Sequence, residues 1–280
     1  MIRKSLRPYY LMGALIALFL AVTAGAGVLD GDLYWPFLSE PIVAFQFFQD
    51  LVSLIFAPVL LLAIYYSRRG SARAFVLWTG ILVYVLYYYS FYVFDFVYTV
   101  FYPLYLALIG LATFSLIGLL TGVDPEWFRQ RIKERMPVRL IAVVLGTTLL
   151  FVPIWLRMLA KGIAAGQPRE TDLVFIFDLP FLIPACLFAT IQIWQRRPVG
   201  YLLSGPLLFK SVTSGLLLTG GEVLKMQRGL PPAIDQLAMY LFLGIVGSLG
   251  LLLYLQNIQE QEGRQEEPAQ TGALRTTGRA

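Results

Sequence analysis

The chain has 280 residues, of which 58% are hydrophobic and 14% are charged. An ordinary soluble domain carries roughly 25% charged residues, so this composition excludes a water-soluble fold. The formal charge is +5, but the cations form short clusters between apolar stretches, which indicates membrane topology and excludes a nucleic-acid-binding patch. The lipid bilayer is therefore the expected partner.

Residues that carry much of enzyme and metal chemistry are scarce. The sequence contains no histidine and one cysteine, Cys186, which lies inside an apolar run. Histidine is the commonest metal ligand and general base, and a disulfide needs two cysteines. We therefore expect no metal site and no cofactor. A membrane enzyme acting on a lipid is not favoured either, because the chain lacks a DDxxD-like acidic pair and a Walker motif.

Apolar stretches of about 20 residues recur along the chain, and this length crosses a bilayer core of about 30 Å as a helix. They predict an all-α polytopic transmembrane bundle over residues 1–257, followed by a disordered cytoplasmic tail at 258–280 that is rich in Gln, Glu, Gly and Thr. The eight predicted spans are 9–27, 46–66, 72–94, 98–121, 139–160, 173–194, 199–219 and 236–256.

The first span has an alternative interpretation. A basic start, an apolar run from Leu11 to Val22 and the small residues Ala24 and Ala26 resemble a signal peptide with its cleavage site. Cleavage would leave seven spans with an external N-terminus. The apolar run is also long enough to serve as an uncleaved first helix, which we prefer.

The positions of the cations predict the orientation, because Lys and Arg collect in cytoplasmic loops. With a cytoplasmic N-terminus, the inner segments carry thirteen cations and the outer segments carry five, so both termini are predicted to be cytoplasmic. The inner cations are Arg3, Lys4, Arg7, Arg68, Arg69, Arg73, Arg129, Arg131, Lys133, Arg135, Arg139, Arg196 and Arg197, and the outer ones are Arg157, Lys161, Arg169, Lys225 and Arg228.

The loop between the fourth and fifth spans predicts a short amphipathic helix. Asp124 suits the N-cap and Pro125 suits the first helical position. Trp127, Phe128 and Ile132 are predicted to face the membrane, with the cations of the loop towards anionic headgroups.

Four ionisable residues within or next to the predicted spans stand out, because a charge inside the membrane is costly and therefore a functional candidate: Asp50, Asp95, Asp178 and Lys210. Asp178 and Lys210 lie on consecutive helices and differ in depth by less than two helical turns. We predict that they form an ion pair.

One interpretation of these residues is a polar cavity that opens to the outer face and holds a charged solute or relays protons. The other is that the Asp178–Lys210 pair locks two helices and that the remaining aspartates lie at the wet interface. The residues predicted to line the cavity are Gln46, Gln49, Asp50, Asp178, Lys210 and Thr213.

Prolines inside the later spans favour a cavity over a dry bundle. Pro180 and Pro184 remove backbone donors beside Asp178 and are predicted to kink the sixth span. Pro153 and Pro206 bend the fifth and seventh spans.

The third and fourth spans form a predicted tight hairpin at 94–97 that is dense in tyrosine. Tyr84, Tyr88 and Tyr92 recur every four residues and share a helix face, with Asp95 in reach. One interpretation is an aromatic pocket for a flat ligand or lipid, which makes Tyr88, Tyr92 and Asp95 candidate binding residues. The other is an outer aromatic belt with ring packing inside the hairpin.

Several motifs resemble a group of prokaryotic multi-pass membrane proteins without an established activity. The resemblance covers roughly residues 50–220, and it implies the same fold and a prokaryotic cell membrane. Asp95 stands where that group is expected to have a small residue. The motifs are Asp178-Leu179 followed by Pro184, Arg196-Arg197-Pro198-Val199-Gly200-Tyr201, Leu207-Leu208-Phe209-Lys210 and Tyr102-Pro103-Leu104-Tyr105.

The sequence is compatible with two functions. The first is transport of a small solute, an ion or protons, and the second is a non-catalytic scaffold or subunit that binds other membrane proteins. Gly244, Gly247 and Ser248 on the eighth span predict close helix packing, either within the chain or in a homo-oligomer.

Overall fold

The computed structural model describes residues 6–167 and 172–260, apart from the side chain of Asp235, and in this part of the chain eight helices are long and apolar enough to cross a membrane. The predicted all-α polytopic bundle is confirmed. The helices are α1 Arg7–Leu29, α2 Glu40–Arg68, α3 Ala72–Phe94, α4 Tyr102–Gly122, α5 Val138–Ala165, α6 Leu173–Trp194, α7 Pro198–Gln227 and α8 Ile234–Gln256.

The helices α3 and α7 form the centre of the bundle. In each, 72% of the residues of the apolar stretch are buried, against 22 to 44% in the other six helices. The two contact each other closely, since a Cβ added to Gly80 of α3 would lie 2.6 Å from Cγ of Phe209 on α7. Because these helices are surrounded by protein, polar side chains on them meet other side chains instead of lipid.

The first helix is an integral part of this bundle. Ile16, Leu20 and Ala24 are fully buried where α1 packs on its neighbours. A Cβ added to Gly118 of α4 would lie 2.0 Å from the ring of Tyr9 on α1, so the two helices touch. Loss of α1 would uncover this apolar face.

Small residues bring α7 and α8 into backbone contact. A Cβ added to Gly215 would lie 2.1 Å from Cα of Gly244. One added to Gly247 would lie 2.9 Å from Cβ of Ser211. The close packing predicted for the eighth span therefore occurs within the chain.

Two helices extend well beyond their predicted bounds. The helix α2 begins at Glu40 instead of residue 46, and α7 continues to Gln227 instead of ending at residue 219. Gly220 and Gly221 favour an early end of the seventh span, but in the structure they let the rings of Phe48 and Phe45 approach the helix. At 1.5 Å per residue, the 30 residues of α7 exceed the thickness of a bilayer core.

The helices α5 and α6 are both irregular near their middles. The helix α5 contains a 3-10 stretch at Thr147–Leu150, and α6 contains a π-helical stretch at Asp178–Leu182. Proline cannot donate a backbone hydrogen bond, so Pro180 suits such a break. The distortion predicted for the sixth span is therefore present, and it lies at Asp178 itself.

The hairpin between α3 and α4 is longer than predicted. The helix α4 begins at Tyr102 instead of residue 98, because the connection turns back through Phe96, whose φ is 55°. Tyr98, which was assigned to the fourth span, lies in this connection and is 59% exposed.

The loop between α4 and α5 contains the predicted short helix, but this helix faces the protein more than the membrane. It runs from Pro125 to Arg129, and the Asp124 side chain accepts a hydrogen bond from the Glu126 backbone. Phe128 is fully buried against Phe75 of α3, which corrects the prediction that it faces the membrane.

The first residues of the predicted disordered tail are ordered. Ile258 is fully buried and forms an isolated antiparallel bridge with Ile132. The Glu260 carboxylate accepts a hydrogen bond of 2.9 Å from the Ser71 hydroxyl at the start of α3. Residues 261–280, and the predicted loop and terminal cations Arg3, Lys4 and Arg169, lie outside the described residues.

Candidate functional site

Asp178 is buried in the π-helical stretch of α6, and each of its carboxylate oxygens accepts a hydrogen bond. The side chain is 8% exposed. The Tyr87 hydroxyl donates to Oδ1 at 2.8 Å, and Nε1 of Trp155 donates to Oδ2 at 3.0 Å. The carboxylate therefore links α6 to α3 and α5 through neutral donors.

Lys210 is buried in the middle of α7 and is held by side chains of its own helix and of α3. It is 3% exposed, and Nζ donates to the Ser214 hydroxyl one turn further along. Nζ also lies 3.6 Å from the centre of the Tyr87 ring and 5.1 Å from that of Tyr88. The ammonium is thus held by a hydroxyl and by two ring faces.

The predicted ion pair between Asp178 and Lys210 is not a direct contact. Tyr87 lies between the two charges, since its ring faces the ammonium and its hydroxyl donates to the carboxylate. By contrast, Lys225 and Glu222 at the C-terminal end of α7 make a direct ion pair of 2.7 Å. We call Asp178, Tyr87 and Lys210 the bridged charge cluster.

Asp50 belongs to a second, separate cluster. It is 1% exposed and accepts hydrogen bonds from Tyr34 at 2.7 Å and from Tyr92 at 3.1 Å. A Cβ added to Gly27 of α1 would lie 2.0 Å from Oδ2, so α1 closes tightly over the carboxylate. Asp50 therefore does not lie at a wet interface, as one interpretation of the sequence held. We call Asp50, Tyr34 and Tyr92 the Asp50 cluster.

Tyr34 comes from the loop between α1 and α2 and covers Asp50 from the side of that loop. Burial of the phenol, and next the charge of Asp50, raise the pKa of Tyr34 well above its usual range. The hydroxyl therefore keeps its proton and remains a donor to Asp50.

The polar face of α2 continues on both sides of Asp50. Gln46 and Gln49 are 6% and 5% exposed. The Tyr84 hydroxyl lies 2.7 Å from the Ser53 hydroxyl and donates to the backbone carbonyl of Gln49 at 3.2 Å. Nε2 of Gln49 is buried without a hydrogen-bond partner among the described residues.

The tyrosines of α3 divide between the two clusters instead of forming one pocket or an outer belt, whereas the ring packing predicted inside the hairpin is present. The Tyr88 hydroxyl donates to Ser214 at 3.0 Å, on the Lys210 side. Tyr92 turns towards Asp50, where its ring stacks on Tyr105 at 4.7 Å. The buried tyrosines of α3 are Tyr84, Tyr88, Tyr89 and Tyr92.

Two further predicted site residues have simpler roles. Thr213 is 1% exposed, but its hydroxyl donates to the Lys210 carbonyl of its own helix at 3.0 Å. Asp95 is the C-cap residue of α3 and is partly exposed at the hairpin, so it is not buried in either cluster.

The residues predicted to line one cavity on the outer side lie instead in two separate clusters, each of which includes tyrosine rings. Two surface cavities lie near the opposite ends of the helices. One measures about 470 Å³ near Arg139 and Trp194, and the other about 300 Å³ near Tyr65 and Arg68.

The sequence did not indicate two residues of this site: Tyr87, which belongs to the bridged charge cluster, and Trp155, which donates to Asp178. The four-residue period selects Tyr88 and Tyr92, whereas Tyr87 lies on the next face of α3. Trp155 was not singled out, since an indole near a helix middle carries no signal of its own. The sequence signal that could have indicated them is the carboxylate of Asp178 itself, because a buried carboxylate requires hydrogen-bond donors.

The chain matches no protein-family model, no curated protein and no solved structure. The chemistry of the two clusters is therefore inferred from their own residues. The bridged charge cluster holds two opposite charges, and the Asp50 cluster holds one acid among neutral donors.

Proposed function

We propose that this integral membrane protein transports protons or a small charged solute, with the bridged charge cluster as its central site. The observation that carries the proposal is that two opposite charges are buried in the membrane region yet separated by a tyrosine. A purely structural pair is expected in direct contact, as Glu222 and Lys225 within α7 are.

The cluster can respond to a proton that binds Asp178, because Tyr87 connects this carboxylate to Lys210. In the present arrangement its hydroxyl donates to Asp178 while its ring faces Lys210. When Asp178 accepts a proton, the carboxyl becomes neutral and Lys210 loses its compensating charge. The buried ammonium then favours release of its own proton or the arrival of an anion.

The π-helical stretch supports the same proposal. Such stretches occur frequently at functional sites, and this one places Asp178 where the regular hydrogen bonding of α6 is interrupted. The outer part of α5, Phe151–Ala165, carries Trp155 and contains no buried residue. Little packing therefore opposes a movement of this segment, which would move Trp155 relative to Asp178.

Replacing Tyr87 by Phe is expected to reduce proton flux at least about tenfold, because the ring over Lys210 stays while the bridge to Asp178 is lost. The measurement is acidification of vesicles that contain the purified protein and a pH-sensitive dye, driven by a potassium diffusion potential.

Tyr66→Phe is the matched control, since this tyrosine is 51% exposed at the cytoplasmic end of α2. It should conduct as the unchanged protein does. Equal flux in Tyr87→Phe and Tyr66→Phe would remove the bridge from the mechanism.

A second candidate function is a scaffold or subunit of a membrane assembly, including a homo-oligomer. The observation in its favour is the outer half of α5, which leaves Leu156 51% and Ile163 73% exposed with no residue of Phe151–Ala165 buried. Vesicles with the unchanged protein that show no flux above protein-free vesicles would favour this candidate. The prokaryotic cell membrane stays a proposed location that rests on the motif resemblance.

A further inference from the structure

One of the two surface cavities, at the cytoplasmic rim, is lined by two arginines and a tryptophan. It measures about 470 Å³ and lies between the start of α5 and the end of α6. Arg139 comes from the first turn of α5, Trp194 ends α6, and Arg196 lies in the turn to α7. We propose that this cavity binds the phosphate group of an anionic phospholipid, independently of the transport proposal.

The two guanidinium groups are available for an anion. Within the described part of the chain, neither Arg139 nor Arg196 forms an ion pair, and Arg139 lies 6.0 Å from the centre of the Trp194 ring. Two other arginines on this side are already engaged. Arg129 pairs with Glu126 at 3.7 Å, and Arg73 donates to the backbone carbonyls of Leu255 and Ile258 at the end of α8 and just after it.

The geometry of the cavity fits a phosphate group. Guanidinium groups bind phosphate oxygens through two parallel hydrogen bonds, and here two of them line one space. The positive φ of Arg196, 55°, together with the hydrogen bond from its N–H to Ile193, fixes the turn that carries it. No side chain caps the first backbone N–H groups of α5, so the field at this helix end also favours an anion.

The walls of the cavity indicate a lipid as the source of the phosphate. Val138 and Leu140 line it, and Leu140 is 48% exposed. Trp194 is 53% exposed at the level where tryptophan rings meet headgroups. The inner leaflet holds anionic headgroups at this level, and basic pockets between helices on the cytoplasmic side bind them.

The test is native mass spectrometry of the full chain in detergent, titrated with phosphatidylglycerol or phosphatidylcholine. Phosphatidylglycerol is expected to bind at least about tenfold more tightly, and the double variant Arg139→Gln with Arg196→Gln is expected to lose this preference. Arg129→Gln is the matched control: it removes the same charge from the neighbouring loop, but from an arginine that is already paired.

Equal binding of the two lipids to the unchanged protein would overturn the proposal. This comparison needs no variant, so it tests the proposal even if the double variant fails to fold. An equal loss in Arg129→Gln would also overturn it, because any cation of the rim would then serve. Inorganic phosphate that displaces phosphatidylglycerol at equal concentration would identify a free-phosphate site instead of a lipid site.

Discussion

Lys210→Met is expected to lower the free energy of unfolding by about 3 to 5 kcal/mol, because it leaves the buried Asp178 charge without a compensating cation. The double variant Lys210→Met with Asp178→Leu is expected to lose less, about 1 to 2 kcal/mol, since it leaves no charge unpaired and frees only the neutral donors of Tyr87 and Trp155. The measurement is denaturation of the purified protein in mixed micelles by increasing SDS, followed by far-UV circular dichroism.

Lys161→Met is the control for this series, because Lys161 is exposed near the C-terminal end of α5. It should change the stability by about 0.5 kcal/mol or less. Equal losses in the single and the double variant would contradict this account, because removing the Asp178 charge would then bring back no stability.

Gly215→Ala is expected to destabilise the protein by about 3 kcal/mol or to prevent folding. The new Cβ would meet backbone atoms of Gly244 at 2.1 and 2.3 Å, and backbone cannot move aside as a flexible side chain can. The helices α7 and α8 would have to separate along their whole contact. The same SDS denaturation measures the loss, and size-exclusion chromatography shows whether folded protein is produced.

Two other glycines provide a graded comparison. A Cβ on Gly110 of α4 meets nothing within 4 Å, so Gly110→Ala should be neutral or slightly stabilising through helix propensity. A Cβ on Gly244 comes no closer than 3.3 Å to Gly215, so Gly244→Ala should have an intermediate effect. A similar loss in all three variants would contradict close contact at Gly215 as the cause.

The number and order of the helices could be predicted from the sequence because the bilayer imposes a length on each apolar stretch. The same pattern could not show which helices are central. An apolar residue facing lipid and one facing protein look alike, so the burial of α3 was not predicted and its tyrosines were assigned to a pocket or a belt. The length of α7 was underestimated because Gly220 and Gly221 favour an end of the helix as much as a close contact.

The candidate site was predicted only in part, for a geometric reason. Position along a helix fixes the depth of a residue in the membrane, so the burial of Asp178 and Lys210 near the middle of the bundle could be expected. The rotation of each helix about its own axis determines which side chains become neighbours. This rotation is set by the packing of the helices against one another. That rotation places Asp50 with Tyr34 and Tyr92, places Lys210 with Tyr87, and divides one predicted cavity into two clusters.

Proton flux through the folded double variant Lys210→Met with Asp178→Leu tests the central proposal most directly, because the variant removes both charges while preserving the packing. Vesicles with the unchanged protein should acidify at least about ten times faster than vesicles with the variant, which should match protein-free vesicles. A folded variant that conducts protons as fast as the unchanged protein would contradict a transport role for the bridged charge cluster.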